Sequence, residues 1–188
     1  MDELNLIGFA GSLRKGSFNK ALLHNAQDMA PEGVNIDILE IDKVPYFNED
    51  VESADFPDAA TELKNKIENA DGAIIATPEY NRSVPGVLKN TIDWTSRPYG
   101  ENSWVGQPVL VLGASIGPIS TAIAQSHLKH SMLYLDCHVL GQPEFYLGNA
   151  HDKFNDDGKL TDEETRDFLS QTLNTFIDFA KQQNEVEI

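Results

Sequence analysis

An α/β fold with a five-stranded parallel sheet, strand order 2-1-3-4-5 and helices on both faces, is what this sequence predicts. Three observations predict it. Short, nearly continuous apolar runs recur along the 188 residues, as in strands covered on both faces. Each run is followed by a segment of helical spacing, so that strand and helix alternate five times. The loops after the first and third strands are the unusual ones, and in this arrangement a ligand lies beyond the carboxyl ends of those two strands, where the winding reverses.

The first strand is LNLIGFA (residues 4–10). After a loop, NKALLHNAQDM (19–29) has the mixed polarity of a helix, and Pro31-Glu32-Gly33 stops it. In VNIDILEI (34–41), Val34, Ile36 and Ile38 alternate with Asn35, Asp37 and Leu39, the pattern of a strand near the sheet edge. A polar loop carrying Pro45 and Pro57 leads to DAATELKNKIENA (58–70), an amphipathic helix with Ala60, Leu63, Ile67 and Ala70 on its apolar side. GAIIAT (72–77) is the third strand. PGVLKNTIDWTS (85–96) is a helix with Pro85 at its start, where a missing N–H costs nothing. PVLVLGA (108–114) is the fourth strand, STAIAQSHLKHSMLYL (120–135) a helix, and HVLGQPEFYLG (138–148) the fifth strand segment. Thr161 and Glu164 are spaced as a capping box for a closing helix, EETRDFLSQTLNTFIDFAKQ. No repeat, low-complexity segment or linker interrupts the series, and residues 1–188 are read as a single domain.

Hydrophobic residues form 40% of the chain and charged residues 23%, ordinary for a globular protein. No apolar run approaches the roughly 18–20 residues of a membrane span, and MDELNLIGFAGS has no basic region before its apolar stretch; a cytoplasmic protein is expected. The single cysteine, Cys137, excludes an internal disulfide and fits a reducing compartment. Near Leu135 and Val139 it reads as a small buried hydrophobe rather than a reactive thiol. The net charge of −16 argues against general affinity for nucleic acid or anionic membrane. An anionic ligand therefore needs a local cluster of donors, the global field being screened beyond about 8 Å. Such acidity suits either a saline habitat or a merely solubilising surface.

In the first unusual loop, Gly11-Ser12-Leu13-Arg14-Lys15-Gly16-Ser17-Phe18-Asn19, glycines permit close backbone approach. Ser12, Ser17 and Asn19 supply short hydrogen-bonding side chains. Backbone N–H groups at a helix start form an anion nest, and Arg14 adds a planar fork suited to phosphate. The loop is neither G-x-x-x-x-G-K-[ST] nor G-x-G-x-x-G, which disfavours nucleoside triphosphates and a conventionally held dinucleotide. Taken alone it remains open between a phosphate site and a plain turn with Ser17 as helix cap. The second loop is TPEYNRSVPGVLKNTIDW (77–94). Pro78 ends the strand, and Glu79-Tyr80-Asn81 set an aromatic between hydrogen-bonding groups, fit for the rim of a flat heterocycle.

Together, GSLRKGSFNKAL and TPEYNRSVPGVLKNTIDW, about 60 residues apart, resemble the NAD(P)H-dependent FMN reductase family, a flavodoxin-like group that includes chromate, quinone and azo-dye reductases. The resemblance spans essentially the whole chain. It implies that Ser12, Arg14, Ser17 and Asn19 hold the FMN phosphate, with Phe18 in the same set. It further implies that Pro78, Glu79, Tyr80 and Asn81 line the isoalloxazine with Ser83 nearby, and that Ser115 and Gly117 contact its far edge. Members usually carry a Gly-Gly pair and then Arg-Ala in the third loop; here Ser120-Thr121 stand in the Gly-Gly place and Ile123 in the Arg place. The resemblance also implies NAD(P)H as co-substrate, a quinone, azo, metal-oxyanion or free-flavin acceptor, and a homodimer, with a tetramer left open. No catalytic acid or base is named, because the flavin carries the chemistry. The rival readings are a flavodoxin-type electron carrier and a flavin-binding protein of low turnover.

Other residues attract attention and resolve differently. His127 and His130 share a helix face without a third ligand, so they read as a solvated or interface face rather than a metal site. KFNDDGKLTDEE (153–164) mimics a calcium loop, but Lys153 stands where the first carboxylate belongs, and a polar turn before a capped helix explains it. Trp94 and Trp104 suit an acceptor pocket, a dimer contact or the core.

Overall fold

Side chains along a strand point alternately to the two faces of its sheet, and here both faces are buried. A computed structural model describes residues 3–185. In β1 (Leu4–Ala10) the residues Leu4, Leu6 and Ala10 enter one core layer, while Ile7 and Phe9 enter the other. β3 (Gly72–Ala76) divides as Ile74 and Ala76 against Ala73 and Ile75. β4 (Pro108–Ala114) sends Leu110, Leu112 and Ala114 to the first layer, Val109 and Val111 to the second.

The first layer is covered by α1 (Phe18–Asp28), through Leu22, Leu23 and Ala26, and by the closing helix α6 (Glu163–Glu185), through Leu169, Leu173 and Phe176. The second is covered by α3 (Asp58–Glu68), α4 (Gly86–Thr95) and α5 (Ala122–Tyr134), through Leu63 and Ile67, Leu88 and Ile92, and Leu128 and Met132. Each such side chain contributes roughly 1.5–3 kcal/mol by leaving water. The strands are parallel in the order β2-β1-β3-β4-β5, with β2 (Val34–Ile38) at the edge, as the alternation there predicts. Register brings the carboxyl ends of β1 and β3 level, Ala10 beside Ala76, while β4 runs on past the pairing of Ala76 with Leu112 to Ala114.

Three features depart from the sequence reading. The fifth strand is two short ones, β5 (His138–Val139) and β6 (Phe145–Leu147), both parallel to β4. Pro143 has no N–H to give a ladder, and the chain between leaves the edge before returning to it. The polar loop before α3 contains an additional helix, α2 (Glu49–Ala54), with no buried residue and hence no apolar periodicity to reveal it. It is held by Asn48, whose Oδ1 accepts from Asp50 N at 2.8 Å, by an acidic first turn, and by Arg97, whose guanidinium bonds both oxygens of Glu52.

The third departure concerns the cap of α6. Asp162, not the Thr161–Glu164 pair, accepts from Thr165 N at 3.0 Å and from the Thr165 hydroxyl. Thr161 instead donates to the Lys153 carbonyl. Lys153 Nζ reaches Asp162 at 2.9 Å and Thr165 Oγ1 at 2.7 Å, so a lysine ammonium sits within the calcium-like segment. Asn155 Oδ1 ties the turn itself, accepting from Asp157 N and Lys159 N.

These bonds, first the Thr165 hydroxyl, then Lys153, hold the Asp162 carboxyl down at about 2 against its ordinary 3.8. A depressed carboxylate stabilises the fold above its unfolded value, and that contribution disappears as pH falls through the folded one. Asp162→Asn is therefore expected to lose stability at pH 7 while flattening the acid limb between 3.8 and 2. Superimposable urea midpoints against pH for the two proteins would exclude that role.

Both tryptophans are core residues. Trp94 donates Nε1–H to the Pro45 carbonyl at 2.7 Å and meets Phe47 and Phe56 edge-on. Trp104 donates to Thr95 Oγ1 at 2.8 Å and packs edge-on against Phe9. Cys137 is buried as expected; burial first, then the Asp136 carboxylate, pushes its thiol up to about 12, which keeps it protonated at neutral pH.

Candidate functional site

Because β1, β3 and β4 are parallel neighbours that end on one side of the sheet, the segments that follow them converge on a cleft of about 300 Å³. Its walls include Ser12, Arg14, Ser17, Phe18 and Asn19 from the first loop, Pro78, Glu79 and Tyr80 from the second, and Ser115 from the third. Ala114 and Ile116 join them and were not anticipated. Asn81, Ser83 and Gly117 lie outside this lining.

In the first loop the Ser17 hydroxyl caps α1, accepting from Lys20 N at 3.4 Å. Ser12, also buried, accepts from Arg14 N and from the Tyr80 hydroxyl, each at 3.4 Å. The exposed Arg14 guanidinium lies over the Phe18 ring at 5.7 Å. A helix start leaves its first N–H groups unpaired, and among the described residues those of Phe18 and Asn19 have no protein acceptor. Two buried hydroxyls, free amides and an exposed guanidinium form a donor set that fits a phosphate monoester.

Asn19 has a second occupation. Its carboxamide donates to Ala114 O at 3.0 Å and accepts from Ala114 N at 2.9 Å, a buried latch between α1 and the end of β4. Glu79 is likewise tied elsewhere: its Oε2 accepts from Ile123 N and Ala124 N at 3.0 and 3.1 Å, and Arg82 lies 3.3 Å from Oε1. The carboxylate thus caps α5, whose own N-terminal residue Thr121 makes no such bond. What Glu79 offers the cleft is chiefly backbone.

Tyr80 and Ser83 exchange backbone hydrogen bonds at 3.1 Å, with Asn81 and Arg82 between them at φ +51° and +65°. Two left-handed central residues mark a type I′ turn, which asparagine tolerates readily. The turn holds a half-exposed Tyr80 at the mouth of the cleft. Ser83 Oγ sits 3.1 Å from His127 Nδ1, which ties the turn to an exposed histidine of α5.

In the third loop Ser115 Oγ accepts from Gly117 N at 3.2 Å. Ser120 adopts φ +59°, a left-handed conformation where the resembled family has glycine, and its hydroxyl donates to Gly113 O at 3.3 Å. Ile116, 66% exposed, makes an apolar lip of the cleft, and Ile119, 60% exposed, follows in the same loop. In the sequence their only signal is two isoleucines within a glycine- and proline-containing turn.

Comparisons with known proteins place the chain in a family. A family model described as NADPH-dependent FMN reductase matches residues 4–152. A 2-hydroxy-1,4-benzoquinone reductase of a Burkholderia species is 44% identical over 175 residues, 93% of each chain. An NAD(P)H-dependent FMN reductase of Pseudomonas aeruginosa is 42% identical over 172 residues, 92% of each chain. Among solved structures, the flavoenzyme NAD(P)H:(acceptor) oxidoreductase FerB of Paracoccus denitrificans superimposes with a TM-score of 0.89 at 39% identity, covering 96% of this chain and 98% of its own.

Proposed function

The chain belongs to the NADPH-dependent FMN reductase family, and from that premise we propose that the cleft at the ends of β1, β3 and β4 holds FMN for transfer of reducing equivalents from NAD(P)H to a quinone. The protein is an FMN-dependent NAD(P)H oxidoreductase with a flavodoxin-like fold. One observation carries the site assignment: nine residues chosen from two motifs and a third loop line a single cleft. Bound there, FMN supplies hydride acceptance from nicotinamide and return of both electrons to an acceptor.

The chain's own residues bind and orient. Arg14, the Ser12 and Ser17 hydroxyls and the free amides of Phe18 and Asn19 take the phosphate, the cation–π contact with Phe18 keeping the guanidinium over the loop. Pro78 and the Glu79–Tyr80 backbone meet one rim of the isoalloxazine, and Ser115 the far edge. The Tyr80 ring and Ile116 leave a face against which a planar apolar quinone excludes water. Nicotinamide and quinone take turns over that one face, which predicts parallel double-reciprocal lines; intersecting lines would count against it.

An absorption spectrum of the purified protein should show flavin bands that bleach on adding NADPH under nitrogen. Steady NADPH oxidation with excess quinone then separates a reductase from an electron carrier or a low-turnover flavin binder. Arg14→Ala is expected to raise the Kd for FMN about tenfold, or about 1.4 kcal/mol, the lower part of the range for a charge-assisted hydrogen bond. Its apoprotein should melt as the wild type does, since the side chain is exposed. Unaltered FMN affinity would take Arg14 out of the phosphate site.

Residues 1–188 act in this reading as one flavin-binding domain working on a small-molecule acceptor. It functions as a homodimer. Tyr99 and Tyr134, 92% and 86% exposed, line one surface cleft together and supply apolar area for such a contact. Light scattering should give twice 20.8 kDa. Among the described residues no helix is long and apolar enough to cross a membrane.

A further inference from the structure

The helix α5 has two faces. Ala124, Gln125, Leu128 and Met132 enter the core. Its exposed residues are Ile123, Ser126, His127, His130, Leu133 and Tyr134, the a, d and e positions of successive heptads. An exposed helix face is ordinarily charged, and this one carries neither carboxylate nor ammonium. Lys129 stands off the seam, 15% exposed and 2.9 Å from Glu144. In a chain of net charge −16, no Asp or Glu occurs between Glu101 and Asp136. The flavin assignment uses none of the six exposed side chains.

The strip continues past both ends of the helix. Ile119 is exposed in the preceding loop. Beyond the C-terminal end, Asn102 donates to Leu135 O and Gly106 N to Asp136 O, each at 2.8 Å, which sets the exposed Val105 beside that end. Tyr99 shares a surface cleft with Tyr134. The helix alone, 13 residues and about 20 Å long by 10 Å wide, falls short of the roughly 800 Å² per partner of a standard interface. The flanking apolar residues extend it.

The seam is its own complement. Positions 123 and 134, and 127 and 130, stand at equal distances from the middle of the helix. A two-fold axis through that middle sets Ile123 against the partner's Tyr134 and His127 against the partner's His130. Neutral imidazoles both donate and accept, so the histidines satisfy one another. Over the rest of the surface two copies of charge −16 repel; here no carboxylate meets a carboxylate. A basic partner would need carboxylates on this face, and an anionic membrane would need cations. The face has neither.

We propose that a second copy of this chain docks on this face, α5 antiparallel to α5, through an apolar seam with Ile123 where the resembled family carries arginine. The inference rests on the homodimer reading and gives it a surface.

Sedimentation equilibrium of the FMN-loaded protein tests it. The wild-type dimer Kd is expected to fall about fivefold or more between about 20 and 500 mM NaCl, because screening removes the repulsion between two acidic copies while the apolar contact stays. Leu133→Glu and His130→Glu should each raise the Kd about a hundredfold, since the two-fold makes every change count twice. Both side chains are exposed, so the chain should fold as before; should one variant fail to fold, the other decides. Register is tested by two double variants. Ile123→Glu with Tyr134→Glu dissociates the dimer, and Ile123→Lys with Tyr134→Glu recovers it. A dimer indifferent to Leu133→Glu and His130→Glu overturns the α5 docking and leaves the homodimer reading standing on another surface. A Kd that does not fall with salt overturns the apolar seam. Wild type that is monomeric at both salt concentrations overturns the homodimer reading itself.

Discussion

Asn19→Leu should lower the melting temperature of the apoprotein by roughly 8 °C and abolish retention of FMN through purification. The substitution keeps the branching of the side chain but removes both hydrogen bonds that join α1 to Ala114, at 3.0 and 2.9 Å. It leaves the Ala114 N–H and carbonyl unpaired in a buried place, each at about 1–3 kcal/mol. Asn19 is only 3% exposed, so water does not readily replace the lost partner. The same latch sets where the N-terminus of α1 stands relative to the third loop, and so whether phosphate donors and ring contacts fit one molecule. The comparison with Arg14→Ala is what makes the result informative. A residue that merely touches phosphate weakens FMN and leaves the apoprotein's melting curve alone; a latch loses both. Calorimetry of apo-Asn19→Leu showing an unchanged transition would reduce Asn19 to a ligand.

Gly113→Ala should destabilise the protein by about 3 kcal/mol, the upper part of the ordinary range for overpacking. A Cβ at this position would run into the Thr77 backbone oxygen and the Thr121 hydroxyl, closer than real Cβ atoms come. Neither neighbour yields cheaply. Thr77 is fixed at the end of β3 by its N–H to Leu112 O at 2.9 Å, and Thr121 Oγ1 accepts from the buried Gln125 at 3.0 Å. Relief requires β4 and the third loop to move away from β3, which also opens the cleft. The urea midpoint is therefore expected to fall and residual FMN affinity with it. A midpoint within experimental error of the wild type would show that the third loop adapts.

The elements most legible beforehand are β1, β3 and β4, whose limits coincide with their apolar runs to within a residue. Each is buried on both faces, so composition alone marks it. α2 left no such mark, because none of its residues is buried and its hydrogen bonds come from Asn48 and Arg97. The cap of α6 fell one residue from the expected place: Thr161 and Asp162 both satisfy the local pattern, and Lys153 chooses between them. Site residues were legible where backbone chemistry requires small or polar types next to a strand end, as at Ser12, Ser17 and Pro78. Ile116 was not, since an exposed isoleucine in a loop looks like any other until its neighbours across the cleft are known.

By itself the sequence determined the layering, the strand order's plausible form and the two loops that face each other, because apolar periodicity and turn chemistry are local properties. Only the tertiary structure decided that Asn19 bonds a backbone 95 residues away, that Glu79 caps a helix by accepting from an N–H 44 residues on, and that the fifth strand breaks in two. The physical reason is that one carboxamide or carboxylate serves equally well as ligand, latch or cap. Which of these it becomes depends on the polar group that sheet register brings within 3 Å or so, and register is a property of the assembled strands.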